Sequence, residues 1–495
     1  MGMQKLPDEF VRRMLELLGS ERWAVVEAAI AAGKCPVSIR LNAQKMGEGV
    51  IPPDADCTVP WCRDGWYLSH RPAFTFDPLL HAGAYYVQEA SSMFLNHVLR
   101  QFVHEPVQML DLCAAPGGKS TAARAALPEG SLLVSNEPVK LRAQILAENL
   151  QKWGHEDVIV TNSYPRDFRK SGLLFDVILA DVPCSGEGMF RKDESAIREW
   201  SEGNVEHCWR LQREIVSEAW QCLKPGGLFV YSTCTFNVQE DEGNVRWLCE
   251  QGGELLSVPV EPSWQITGSL MAGFEGPVYR FIPGFSRGEG LFMAVLRKQG
   301  NGFGGSSESG ITHAKPKKLA KQGKLKKSGK SDLGQLLKAG LPQDFINIPL
   351  KEASALVSSA EQFALRTLRM GDQREVCMAI PTHWADVFDD AVSSLHVIHG
   401  GVCIGEWKGS SIVPAAALAL SRCLRRDAFP QIDVDYEKAI AYLRREALVL
   451  PDGTPRGFVL LTYRHLPIGF VKNLGTRANN LFPAEWRIRS TRIDN

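Results

Sequence analysis

The chain of 495 residues has no excess of charge of one sign and no long apolar run. Lysine and arginine together number 56, as do aspartate and glutamate, which excludes a uniformly basic nucleic-acid coat but not a local basic patch. No run approaches the roughly 18 apolar residues of a transmembrane helix. Segment 1–10 has early acids and no apolar stretch, so we expect no signal peptide and a cytoplasmic protein.

The 12 cysteines follow neither a metal-binding nor a disulfide pattern. Cys57 and Cys62 are close in sequence, but no second pair of cysteine or histidine lies nearby, so we expect no metal. A long chain without a secretion signal also makes a disulfide scaffold the wrong expectation. We therefore expect reduced thiols, most of them packed in the interior, with Cys184 and Cys234 in unusual contexts.

Composition changes along the chain predict several domains. Apolar residues make up 44% of the sequence, which is enough for a sizeable core. Segment 315–330 holds eight lysines and no acid, which is typical of a solvated linker and also suits an electrostatic contact with a phosphate backbone. The predicted division is an N-terminal extension at 1–95, a central domain at 96–298, a flexible lysine-rich linker at 299–330, a small mixed domain at 331–405 and a last small domain at 406–495.

The central domain alternates strand and helix patterns. Pro138 and Gly154 punctuate one helix, as proline at a first turn and glycine after a last turn do. Alternating strands and helices indicate an α/β fold, with a parallel sheet covered by helices on both faces. The predicted strands are 107–112, 132–136, 158–161, 177–181 and 228–232.

A glycine-containing loop follows the first of these strands. Segment 111–120 reads Asp-Leu-Cys-Ala-Ala-Pro-Gly-Gly-Lys-Ser, and Gly117 and Gly118 permit a tight turn into a helix. The loop lacks the first glycine of a P-loop and the pattern of a dinucleotide site. Glu137 ends the second strand, where an acid either binds both ribose hydroxyls of a nucleoside or is a solvated acid near a helix start. Together the loop and Glu137 favour S-adenosylmethionine, which has a ribose but no phosphate.

Two cysteines follow the fourth and fifth strands. Segment 181–188 reads Asp-Val-Pro-Cys-Ser-Gly-Glu-Gly, and segment 231–235 reads Tyr-Ser-Thr-Cys-Thr. The carboxyl ends of parallel strands meet at one edge of a sheet, so Asp181, Cys184 and Cys234 are predicted to face one cleft. Either thiol alone could equally be packed in the core, but two beside a cofactor loop favour catalysis.

These motifs resemble the Sun-domain (Nop/Sun) family of RNA cytosine-C5 methyltransferases. The resemblance extends to segments 38–42 and 83–89 upstream. Segments 189–193 and 288–292 look like the RsmF-type bacterial branch, whose members methylate small-subunit (16S) ribosomal RNA. Segments 467–472 and 480–487 are similar, less specifically, to the PUA-like RNA-binding domain of that branch.

The resemblance implies a Rossmann-like class I methyltransferase domain with an N-terminal RNA-recognition extension and a PUA-like last domain. It implies ribosomal RNA, free or in the small subunit, as the partner; we expect no membrane association and a monomer. S-adenosylmethionine would be held by Cys113, Ala114, Ala115, Pro116, Gly117, Gly118, Lys119, Glu137, Asn162, Ser163 and Asp181. Relatives often have an acid near the adenine where this chain has Asn162, whose amide can also hydrogen-bond.

The resemblance also implies roles for the catalytic residues. Carbon 5 of cytosine is a poor nucleophile until a thiolate adds at carbon 6. In this family the attacking thiol is that of the Thr-Cys motif, here Cys234, while Cys184 assists proton removal and release. Asp181 would hydrogen-bond the protonated ring. Lys119 either helps in the same cleft or is a helix N-terminal lysine bonded to a neighbouring acid.

Other functions remain open from the sequence. DNA cytosine methyltransferases carry the nucleophile in a Pro-Cys motif and lack the Thr-Cys motif, so the presence of both favours RNA. The substrate could instead be transfer RNA or another ribosomal site. A noncatalytic ribosome-assembly factor is disfavoured by the intact motifs, and a small-molecule methyltransferase by the lysine-rich linker and the basic C-terminal residues, which include Arg477, Arg487, Arg489 and Arg492.

Overall fold

The computed structural model describes residues 5–300, 350–369, 374–409 and 411–490. The lysine-rich segment 315–330, the beginning of the domain predicted at 331–405, and Arg492 lie outside the described residues. Within the described part of the chain, no helix has the length and apolarity needed to cross a membrane.

A mostly parallel sheet forms the centre of the molecule. Its strand order is β10-β12-β9-β8-β5-β6-β7-β15, with β11 paired to β12. The pairs β5–β6, β6–β7, β5–β8 and β8–β9 are parallel, and the order reverses at β5, where open α/β sheets bind ligands. The strands are β5 Gln108–Asp111, β6 Leu132–Asn136, β7 Val158–Thr161, β8 Phe175–Asp181, β9 Leu223–Thr233, β10 Gly253–Leu255, β11 Tyr279–Phe281, β12 Leu291–Lys298 and β15 Val397–Gly400.

The predicted strands of this sheet are confirmed, and one boundary is wrong. The strand predicted at 228–232 already begins at Leu223 in β9. Leu223 pairs with Phe175 before a register shift, after which Leu228 pairs with Val177. The extra residues of β9 therefore form a bulge that extends the strand instead of ending before it.

Helices cover both faces of the sheet because alternate strand residues are apolar on both sides. Leu110 and Ile178 are buried on one face, and Met109 and Leu179 on the other. The α6 helix ends before Gly154, whose φ of 87° is left-handed, as the glycine predicts. The helices are α4 Phe94–Phe102, α5 Gly118–Ala126, α6 Lys140–Trp153, α7 Pro165–Ser171, α8 Glu194–Glu199, α9 Glu202–Cys222 and α10 Glu242–Glu250.

The N-terminal part consists of a helix and an antiparallel sheet of order β2-β3-β1-β4. The first helix buries Phe10, Met14 and Leu18, which recur at helical spacing, while Leu15 is 40% exposed. Phe10 contacts the rings of Phe190 and Trp200, which follow the Pro-Cys motif. The elements are α1 Asp8–Ala31, β1 Val37–Leu41, α2 Ala43–Met46, β2 Ala55–Thr58, β3 Gly65–Leu68, α3 Pro78–His81 and β4 Tyr85–Val87.

The C-terminal part contains two further sheets, of orders β13-β14-β16-β17 and β18-β19-β20-β21. Strand β16 of the first sheet crosses the boundary predicted at residue 405, and β15 joins the central sheet beside β7. The division of the chain into domains stays a prediction. The elements are α11 Leu350–Ser354, β13 Phe363–Arg369, β14 Glu375–Pro381, α12 Ala385–Ser394, β16 Val402–Lys408, β17 Ser411–Pro414, α13 Ala416–Leu420, β18 Gln431–Asp433, α14 Tyr436–Leu443, β19 Gly457–Tyr463, β20 Leu466–Asn473 and β21 Ala478–Asn480.

Candidate active site

The two cysteines that follow β8 and β9 meet at the carboxyl edge of the sheet. Asp181 at the end of β8 pairs with Ser232 of β9, so the next residues of both strands leave the sheet side by side. The Sγ atoms of Cys184 and Cys234 are 3.2 Å apart, and the backbone N–H of Cys234 donates to Cys184 Sγ at 3.3 Å. The structure thus brings together residues that are 50 positions apart in the chain.

The contact between the thiols separates their pKa values. The hydrogen bond from the Cys184 thiol lowers the pKa of Cys234, although burial opposes this shift. The same hydrogen bond, together with burial, raises the pKa of Cys184 well above its usual value. The charge of Lys119 further favours a thiolate at Cys234. Cys234 is therefore the better nucleophile of the two, since the thiolate is the reactive form.

Asp181 and Lys119 lie beside Cys234. Lys119 Nζ donates to Asp181 Oδ2 at 2.9 Å, and the Ser232 hydroxyl donates to Asp181 Oδ1 at 2.6 Å. Although burial disfavours the charged ammonium, Asp181 raises the pKa of Lys119. Asp181 remains 29% exposed, so its carboxylate can accept a hydrogen bond from a ligand. Lys119 thus makes the bond to a neighbouring acid and also faces the cleft.

Cys234, Asp181 and Lys119 line a common cavity of about 180 Å³. Cys184 is not among the residues that line it. A ligand in the cavity would therefore meet Cys234 first. The lining residues also include Glu89, Lys192 and Glu289.

Glu289, one of the residues that line this cavity, belongs to an ion pair that was not predicted from the sequence. Arg191 donates from Nε and from one terminal nitrogen to the two carboxylate oxygens of Glu289, at 2.9 Å each, and both side chains are buried. Arg191 belongs to segment 189–193 and Glu289 to segment 288–292, both of which carried the resemblance. Their pairing connects two motifs that are about one hundred positions apart, and no sequence spacing indicated it.

The glycine loop is held from the side of α6. Arg142 donates to the carbonyl of Ala115 at 3.0 Å, and the Asn149 amide donates to that of Pro116 at 2.8 Å. Gly117 has a φ of 115°, which favours glycine. The other predicted ligands of this loop are Cys113, whose pKa is raised by burial, the buried Ala114, and Gly118, where a Cβ would approach Tyr86 at 3.3 Å.

Glu137 is buried at the end of β6 and has few protein partners. One carboxylate oxygen accepts the Val139 N–H at 2.9 Å, and the other lies 3.4 Å from Arg142. The Asn162 amide donates to the carbonyls of Glu137 and Pro138 at 2.8 and 2.9 Å. Both donors of that amide are thus used within the protein, which leaves only its oxygen for a ligand. Ser163 is also engaged, because its hydroxyl accepts the N–H of His396.

Three carboxylates near the loop suit a cationic ligand. Burial raises the pKa of Asp111 to about 7, and the charges of Asp181 and Glu137 add to the shift. One oxygen of Asp111 is buried without a hydrogen-bond partner among the described residues. A ligand with a positive charge and no phosphate therefore fits this edge better than a nucleotide.

A second group of titratable residues lies elsewhere. Glu129, His155 and Asp157 place their ligand atoms within 4.8 Å of one another. Burial holds the pKa of His155 well below its usual value, and its Nδ1 accepts the Asp157 N–H, so Nε2 carries the proton and offers no lone pair to a metal. Arg422 also pairs with Glu129 at 3.1 Å. Glu129 is thus paired with an arginine, while His155 Nε2 and Asp157 Oδ1 are buried without a hydrogen-bond partner among the described residues.

Comparison with known proteins matches three parts of the chain. Residues 99–297 match the family described as 16S rRNA methyltransferase RsmB/F. Residues 6–90 match the N-terminal domain of 16S rRNA methyltransferase RsmF, and residues 429–488 match the methyltransferase RsmF PUA domain.

Individual relatives extend this likeness over the whole chain. Ribosomal RNA small subunit methyltransferase F of Erwinia tasmaniensis is 27% identical over 97% of this chain and 96% of its own length. The protein of the same name from Pectobacterium atrosepticum is 34% identical over 60% and 63%. A solved methyltransferase homologue from Pyrococcus horikoshii has a TM-score of 0.50 and 26% identity, covering 59% of this chain and 95% of its own. The chain therefore belongs to the RsmB/F family of methyltransferases and has the N-terminal and PUA domains of the RsmF type.

Proposed function

We propose that this chain uses S-adenosylmethionine to make 5-methylcytosine in small-subunit ribosomal RNA. The observation that carries the proposal is the thiol pair. Cys234 has a lowered pKa, lines a cavity beside Asp181 and Lys119, and contacts a second thiol that can take part later in the reaction. The names of the full-length relatives support small-subunit RNA as the substrate.

The reaction begins at Cys234. Its thiolate adds to carbon 6 of the cytosine, which makes carbon 5 nucleophilic, while Asp181 holds the protonated ring nitrogen by a hydrogen bond. S-adenosylmethionine, when bound, supplies the methyl group to carbon 5. Cys184 then assists removal of the carbon-5 proton, and the electron pair of that C–H bond expels the Cys234 thiolate from carbon 6. The base must leave its stack to reach these side chains.

The cofactor would lie along the loop between β5 and α5. Residues 113–119 would contact it with their backbone, and the Glu137 carboxylate would accept hydrogen bonds from the ribose hydroxyls. The fit is supported by the free oxygen of Asp111 and by the excess of carboxylates, which suits a sulfonium cation. The oxygen of Asn162 is available to the adenine amino group.

Transfer of a labelled methyl group tests the proposed function directly. The protein is incubated with labelled S-adenosylmethionine and with free small-subunit RNA, assembled small subunits or transfer RNA. We expect label in small-subunit RNA, at a cytosine that bisulfite sequencing locates. Label in transfer RNA alone would show that transfer RNA is the substrate, and label in no RNA would contradict the proposal.

Glu137→Ala should weaken S-adenosylmethionine binding by about 1.5–3 kcal/mol, because hydrogen bonds to a charged acceptor are lost. Isothermal calorimetry measures the affinity. Glu254→Ala, at an exposed acid of β10, is the matched control and should bind normally. An unchanged affinity for Glu137→Ala would remove this residue from the ribose site.

Exposed arginines of the PUA domain should hold the RNA. Replacing Arg477, Arg487 and Arg489 together by alanine should weaken RNA binding and reduce its salt dependence by about one ion per lost phosphate contact. The affinity for S-adenosylmethionine should not change. Arg210→Ala, at an exposed residue paired with Glu206 on α9, is the control. If the RNA affinity of the triple variant depended on salt concentration as strongly as that of the parent chain, these three arginines would have another role.

A further inference from the structure

Glu187 is a buried acid in the loop that carries Cys184. Its side chain is 2% exposed, and one carboxylate oxygen accepts the Thr235 hydroxyl at 2.5 Å, the Phe236 N–H at 2.7 Å and the Asn237 N–H at 3.0 Å. The other oxygen accepts the Trp200 indole N–H at 2.9 Å. Among the ion pairs of the described residues none involves Glu187, so backbone and neutral donors alone satisfy the carboxylate.

Apart from Trp200, the donors to Glu187 belong to the turn that begins with Cys234. The next residue of the acid's own loop, Gly188, donates its N–H to the Cys234 carbonyl at 2.9 Å. A Cβ at Gly188 would lie 3.0 Å from that carbonyl and 2.7 Å from Gly290 Cα. The two cysteine loops are therefore in close contact, without space for a side chain at Gly188. Glu187 binds one to the other, as do the contact between the Ser185 and Thr235 hydroxyls at 3.1 Å and the bond from the Ser185 N–H to Glu240 at 3.1 Å.

The opposite side of the turn is held as well. Arg280 donates to the Phe236 carbonyl at 2.9 Å and forms a buried ion pair with Asp241 at 2.8 Å. The turn thus has its N–H groups fixed by Glu187 and a carbonyl fixed by Arg280. Neither of these residues lines the cavity, so both act on the chemistry only through the position of Cys234.

We propose that Glu187 is a positioning residue that holds the turn 235–237 against the Cys184 loop and so keeps Cys234 within reach of the Cys184 thiol. The proposal rests on the proposed function, because it assigns a residue that acts through the attacking thiol. Among the described residues, the charged or titratable groups that act on Cys234 include Cys184, Asp181, Lys119, Lys192 and Cys208. Of these, Cys184 has the largest effect on Cys234, and its hydrogen bond depends on the alignment of the two loops.

Glu187→Gln tests this role with little change in volume. The amide retains one acceptor but turns an NH₂ group towards N–H donors, so the turn should shift. We expect kcat for methyl transfer to fall about 100-fold, as misplacement of a reacting group does, with KM for RNA and for S-adenosylmethionine within about threefold of the parent. Alkylation of Cys234 by iodoacetamide, followed by mass spectrometry of its peptide, should slow at neutral pH and its pH midpoint should rise.

A second variant and a control separate positioning from loss of stability. Thr235→Val removes one donor to Glu187 and should shift the alkylation midpoint in the same direction by a smaller amount. Asp176→Asn is the control, because Asp176 accepts a backbone N–H of Gln108 at the opposite end of β8. It should lower the unfolding temperature without moving the midpoint. If Glu187→Gln does not fold, Thr235→Val decides the question.

The outcomes distinguish this proposal from the proposed function. An unchanged alkylation midpoint and kcat in folded Glu187→Gln, or an unchanged midpoint in Thr235→Val when the first variant does not fold, would overturn the positioning role. Failure of the parent protein to methylate any RNA would overturn the proposed function instead. The alkylation experiment requires no RNA and would still report on Glu187.

Discussion

Cys234→Ala should abolish methyl transfer and form no covalent complex with RNA, whereas Cys184→Ala should accumulate one. Cys234 lines the cavity and has the lower pKa, so we expect it to form the bond to carbon 6. Without Cys184 the addition and the methyl transfer can still occur, but release of the enzyme slows. The complex should survive denaturing electrophoresis and should form only when S-adenosylmethionine is present.

Two further variants control this experiment. The double variant of Cys184 and Cys234 should lose the trapped complex, because the attacking thiol is gone. Cys222→Ala, at a buried thiol on α9, should be mildly destabilised and should trap nothing. A trapped complex in Cys234→Ala with none in Cys184→Ala would reverse the roles and would make the DNA-type arrangement the right analogy.

Asp181→Asn should reduce kcat about 10³-fold, because in the proposed mechanism the Asp181 carboxylate stabilises the protonated ring of the adduct. RNA affinity should change little, since Asp181 acts on one base. Single-turnover kinetics separate the chemical step from binding. A reduction of less than about tenfold would show that another group stabilises the ring.

The same substitution should make the Cys234 thiol more reactive although it slows methyl transfer, and the pH dependence of alkylation shows this. The charge of Asp181 raises the pKa of Cys234, so removing it should lower that pKa further. The thiolate fraction of Cys234 grows as pH rises through its pKa, and alkylation of Cys234 at acidic pH should therefore become faster in Asp181→Asn. Faster alkylation of Cys234 together with a lower kcat would show that Asp181 does not act by making the Cys234 thiol more reactive. Slower alkylation would contradict it.

Local patterns were enough to predict the five parallel strands of the central sheet. Short runs of buried apolar residues bounded by glycine and proline encode its parallel strands, and β6 Leu132–Asn136 and β7 Val158–Thr161 have the predicted bounds. The row formed by Asp181, Cys184 and Cys234 followed from the same reasoning, because parallel strands end at one edge. The edge strand β15 was not predictable, since its partner β7 is more than two hundred positions away.

The sequence by itself determined the α/β fold, the glycine-containing loop after β5 and the residue types at the strand ends, since these depend on contacts between neighbours in the chain and on the rule for parallel strands. Only the tertiary structure decided which thiol is deprotonated more easily, because that depends on a 3.2 Å contact between two loops. It also decided that the Asn162 amide binds backbone carbonyls and that Glu187 holds the Cys234 turn. Hydrogen bonds between distant segments are set by packing, and residue spacing carries no record of them.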